Sequence, residues 1–107
     1  MYTFEHSKKL NFTKDINYSD NGIVSKRVLE QPKGNISLFA FDKGQQLSEH
    51  TAPFDAMVQL IEGTAEIAIS GKPFRLGAGE AIIMPANIPH AVIAVERFKM
   101  LLTMIKA

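Results

Sequence analysis

Two histidines carry most of this chain's chemical potential. His50 lies in "GQQLSEHTAPFDAMVQLIEG" (44–63) and His90 in "GEAIIMPANIPHAV" (79–92). Near neutral pH an imidazole can act as a base, exchange a hydrogen bond or ligate a metal. Its neighbours decide which. Beyond His50, the positions two and six residues on are Ala52 and Ala56, neither of which has a lone pair to give. Glu49 adjoins His50, so strand alternation turns it to the opposite face. Asp55 follows Pro53 and reads as a turn residue within reach of a pocket mouth. His6, in a polar stretch near the start, reads as a surface residue.

The chain has no cysteine, which excludes disulfides and thiolate metal sites. Any metal must therefore use imidazole, carboxylate, amide or thioether. Met84, Met100 and Met104 are candidates to line a cavity, but thioethers suit copper(I) better than hard ions.

The elements that must position these groups are short apolar runs cut by glycine and proline. The pattern predicts strands over 23–30, 35–42, 57–62, 65–70, 81–85, 90–95 and 98–105. Turns fall at Asp42-Lys43-Gly44, Gly63, Ser70-Gly71-Lys72, Gly77-Ala78-Gly79 and Asn87-Ile88-Pro89. Such spacing without a helical period points to an all-β sandwich or barrel. The one helical alternative is the terminal "FKMLLTMIKA". Residues 1–22 end in the turn signal "SDNG" and read as an arm, with 23–107 as a single barrel domain. Phe4, Leu10, Phe12 and Ile16 suggest that the arm packs on something.

With 107 residues, 46% of them hydrophobic, one domain can bury a real core. Twelve basic and 11 acidic side chains leave a formal charge of +1, which gives no electrostatic case for nucleic acid or an anionic membrane surface. No apolar run approaches the ~20 residues of a membrane span. The expectation is a soluble cytoplasmic protein.

In these segments the chain resembles the cupins, in particular their small single-domain members. The family's first motif runs glycine, five residues, His-x-His, three or four residues, glutamate, six residues, glycine. Gly44, His50 and Gly63 fall in that register, while Ala52 stands at the second histidine and Ala56 at the glutamate. In the second motif Gly79, Pro85 and His90 match; Asn87 replaces a glycine and Ala94 an asparagine. The resemblance implies a jelly-roll β-barrel with a pocket at one end. In metal-dependent members three histidines and a glutamate hold the ion there, and only His50 and His90 remain of that set. Two imidazoles without an anionic donor bind divalent ions weakly. The cofactor expectation is accordingly none, or a weakly held divalent metal on His50 and His90.

Three functions follow. The first is a protein binding a small organic ligand, with His50 and His90 as polar contacts and Val58, Leu60, Ile82 and Met84 as walls, taken by alternation from the motif positions. The second, by resemblance, is a metal-dependent dioxygenase or isomerase with His50 and His90 as two ligands. The third is a metal-free isomerase or epimerase with a histidine base. It needs a second acid–base group, and Asp55, Tyr2 and Tyr18 are its only candidates. A homodimer is also expected, because sheet edges need cover and because the arm and outward residues such as Met57 add apolar surface. Small cupins commonly pair through such sheets.

Overall fold

The computed structural model describes residues 3–106; Tyr2 lies outside them. Its seven strands are β1 (Ile23–Gln31), β2 (Gly34–Phe41), β3 (Gln46–His50), β4 (Asp55–Ile69), β5 (Lys72–Gly77), β6 (Ala81–Met84) and β7 (His90–Ile105). No helix occurs among the described residues, and the terminal apolar segment forms the second half of β7. All pairings are antiparallel. The order is β1-β2-β7-β4-β5, with β3 on β7 and β6 on β4. The fold is all-β and jelly-roll-like.

Two pairs of expected strands are each one long strand. β4 has 15 residues and β7 has 16. They pair with each other throughout, with irregularities between Leu60 and Glu62 and between Gly63 and Ala65. These bulges bend the pair without ending it. The first half of β4 thus pairs with β6 and the second with β5, while β7 pairs with β3 near its start and β2 near its end. Gly63 makes the bend possible. Its φ is +86°, and a Cβ there would lie 2.0 Å from the Arg97 carbonyl oxygen. Only glycine fits both conditions.

Two apolar clusters hold the layers together. The interior one includes Phe41, Val58, Leu60, Ile67 and Phe98, all almost fully buried. Phe41 and Phe98 stack with centroids 4.6 Å apart. The second cluster lies on the outer face of the β1–β2 layer, where Val28, Leu38 and Ala40 meet Ile16 of the arm, flanked by Phe4, Phe12 and Tyr18. β2 is therefore covered on both faces, which accounts for the unbroken apolar run in "LFAF".

Polar contacts fix the arm as well. The Phe4 amide donates to the Val28 carbonyl, and Lys99 Nζ donates to the Thr13 carbonyl. Tyr18 Oη donates to Glu62 Oε2 over 2.6 Å, and Lys99 lies 3.7 Å from the same carboxylate. Ile16 is fully buried. This corrects the expectation that the arm's apolar residues need a second subunit: they find partners on their own barrel. Only Leu10 among them stays exposed.

Candidate functional site: an imidazole pair in an apolar cavity

His50 ends β3 and His90 begins β7, and the two are paired residues in the β3–β7 ladder. Forty positions apart in sequence, they are brought side by side by barrel closure. Their ring centroids are 4.4 Å apart, with the planes inclined at 69°. Each Nδ1 meets the carbonyl two residues upstream: His50 with Ser48 at 2.7 Å, His90 with Ile88 at 3.2 Å. A carbonyl can only accept, so Nδ1 carries the proton in both rings. In the neutral ring, Nε2 is then left with a free lone pair.

The two environments differ. His50 is exposed at the rim, whereas His90 is buried. Desolvation of the His90 ring holds its pKa below the ordinary 6.5; the Ile88 carbonyl opposes this, and nearby His50 adds to it. Burial therefore favours the neutral form of the His90 ring.

The rings open on a cavity of about 60 Å³. Leu47, Ala52, Ala56, Met84, Val92, Met100, Leu102 and Met104 complete its walls. Ala56 pairs with Met84 on one side and Met104 on the other, so long thioether side chains flank the smallest wall residue. Of the walls expected from sequence, Met84 lines this cavity with the histidines. Val58, Leu60 and Ile82 do not. Val58 and Leu60 face the same interior but are packed into the core, with Met100 and Leu102 closing the cavity short of them. Alternation gives a side chain's face but not its depth.

Met100 and Met104, expected as cavity-lining methionines, also line it. Leu47 and Val92 went unrecognised, although they pair directly below the histidines. Val92 was within reach of alternation from His90; Leu47 was hidden in the polar segment "QLSEH".

The other candidate groups are engaged elsewhere. Asp55 Oδ1 accepts a hydrogen bond from the Ala86 amide, which makes it a turn clamp. Tyr18 is bonded to Glu62 in the arm contact. Neither lines the cavity, so the isomerase reading finds no second acid–base group in the cavity wall. His6 is exposed. Among the described residues no group of three or more His, Cys, Asp or Glu side chains could hold a metal. The three-histidine, one-glutamate arrangement that the resemblance implies does not fit these residues, which offer Ala52 and Ala56 at two of its positions.

Larger grooves run along the arm, one of about 250 Å³ beside Phe4, Lys8, Lys9, Asp15 and Lys26. They are open, and two of the lysines make local contacts: Lys8 pairs with Glu5 at 3.6 Å, and Lys26 Nζ donates to the Asp15 carbonyl.

An antiparallel jelly-roll with two motif histidines at one mouth defines a small single-barrel protein of the cupin class. Residues 37–106 match the family described as "Cupin domain", and the chain belongs to that family. A conserved protein of unknown function from Streptococcus pyogenes is 39% identical, with a TM-score of 0.93 over 99% of this chain and 93% of that one. A cupin 2 conserved barrel domain protein from Leptotrichia buccalis is 40% identical, with a TM-score of 0.87 over 91% of this chain. The match spans 47% of the Leptotrichia chain, about half its length. An RmlC-like cupin from Desulfovibrio desulfuricans is 27% identical with a TM-score of 0.81, covering 94% and 97% of the two chains. No curated protein matches the chain.

Proposed function

We propose that the barrel binds one end of a small organic molecule, with the Nε2 atoms of His50 and His90 as its polar contacts and no tightly held divalent metal. The observation that carries this is the pair of fixed imidazoles facing one apolar cavity. Small-molecule sites typically combine apolar walls with a few placed polar groups.

The size of the cavity restricts the ligand. At about 60 Å³ it falls well below the roughly 300–1,000 Å³ of pockets that enclose a drug-sized molecule. A head group fits inside, and the remainder must leave past the exposed His50. In the neutral ring the Nε2 lone pair accepts a hydrogen bond, which suits a hydroxyl or a protonated carboxyl. Protonation turns Nε2 into a charged donor, which suits a carboxylate.

Propionate and 1-propanol serve as probes of these two cases, followed by chemical shift on wild type and on His50→Ala with His90→Ala. Propionate binding should strengthen as pH falls through the imidazole range, and propanol binding should not. The double variant should lose both. Equal binding by both proteins would remove the histidines from the account.

A further inference from the structure

We propose that the same cavity is a site for a soft monovalent cation, copper(I) or its analogue silver(I). The ligands are the Nε2 atoms of His50 and His90 and a thioether from Met84 or Met104.

Three features converge. The chain has five methionines, and Met84, Met100 and Met104 all line this one small cavity. That concentration of sulfur stands beside the only two histidines that meet. Second, Met84 and Met104 are the cross-strand neighbours of Ala56, where the resemblance implies a carboxylate. Soft donors thus flank the position from which the hard one is missing. Third, each ring gives its Nδ1 proton to a backbone carbonyl, the outer contact that orients a metal-binding imidazole and frees Nε2 for the ion.

Charge and size agree with this choice. The cavity walls contain no anion, so an ion entering it keeps its full charge. The cost of charging rises with the square of the charge, and a monovalent ion pays about a quarter of a divalent one's desolvation penalty in the same surroundings. Imidazole suits copper among several metals, and the thioether is the donor that favours copper(I), which is satisfied by two or three ligands. About 60 Å³ accommodates an ion with little space to spare.

This inference shares its cavity with the ligand-binding reading but does not need an organic ligand. The test is an anaerobic titration of the whole protein with silver(I), read on methionine methyl and histidine ring-nitrogen resonances. Copper(I) and zinc(II) affinities are measured beside it by chelator competition. One silver per chain should shift both Nε2 signals and the methyl of Met84 or Met104, leaving exposed Met57 unmoved. Copper(I) should bind at least about 100-fold more tightly than zinc(II). The double variant Met84→Leu with Met104→Leu, which conserves volume, should weaken silver binding at least about tenfold while its methyl spectrum still shows a folded barrel. Equal copper(I) and zinc(II) affinities, or wild-type silver binding by the leucine variant, would overturn the proposal. If silver fails while propionate still moves the rings, the metal inference alone falls; if neither binds, both readings fall.

Discussion

The imidazole pair is asymmetric, and the asymmetry has a measurable sign. Because burial holds the folded-state pKa of His90 below 6.5, the unfolded chain takes up its proton first as pH drops. Stability should therefore be unaffected by His90 above about pH 6.5 and decline as pH falls from there to the folded pKa. Histidine ring shifts should place the His90 midpoint below 6.5, and His90→Gln should flatten this part of the stability profile. A midpoint above 6.5 would contradict the buried, neutral ring. The spacing of Gly44, His50, Gly79, Pro85 and His90 made the pair legible from sequence, but not the tautomers, which depend on carbonyls that only the folded chain brings near. Asn87 is instructive in the same way. It stands where the second motif has glycine and takes φ of 65°, a left-handed conformation that asparagine tolerates better than most residues. The substitution that looked like a break in the motif keeps its turn.

Among the elements, the β4–β7 pair and the arm carry the main consequences. Gly63→Ala must force a Cβ against the Arg97 carbonyl and Phe98 Cα, at a left-handed φ. A loss of more than about 3 kcal/mol is expected by denaturant unfolding; a near-neutral result would mean that the backbone does not bend at Gly63. In the arm, Tyr18 is held above its ordinary pKa of 10, first by burial and then by the Glu62 carboxylate that accepts its hydrogen bond. The folded chain keeps that proton when the unfolded chain loses it, so stability should fall as pH rises past about 10. Tyr18→Phe should cost about 1–2 kcal/mol near neutral pH and remove most of that alkaline loss; an unchanged alkaline limb would assign it to another group. Sequence reading found most strand positions but split β4 and β7 at Gly63 and near Glu96-Arg97. Turn chemistry marks a change of direction, and a bulge changes direction without ending a ladder. β3 escapes a sequence reading because the exposed "QLSEH" shows little alternation; β5 holds only Phe74 and Leu76 in alternation, between the turn glycines at 71 and 77.

At the scale of the whole molecule, arm and barrel make one packed body, and the apolar surface left over lies elsewhere. Ile83 and Ile105 are the most exposed large apolar side chains, at 63% and 66%. Met57 pairs with Ile83 across β4 and β6, so the two share the outer sheet face. We propose that the protein is a homodimer through this face, and that Ile83→Lys with Met57→Lys yields a monomer mass in sedimentation equilibrium at micromolar concentration. A wild-type monomer there would remove the proposal. The barrel itself was legible because glycine and proline punctuation and two spaced histidines survive in the sequence. The cavity's volume was not, since it depends on how far Met100, Leu102 and Met104 reach across the interior.

The central claim is that two imidazoles, each fixed through its Nδ1 contact and without a divalent metal, do the polar work of the pocket. A long-range proton–nitrogen spectrum of the histidine rings, recorded at pH 7.5 with and without 1-propanol, tests it most directly. Both rings should show a protonated Nδ1 and a bare Nε2, and both Nε2 signals should move together as propanol is added. Rings protonated on Nε2, Nε2 signals displaced by a divalent metal that survives dialysis against chelator, or a response from only one ring would contradict the account.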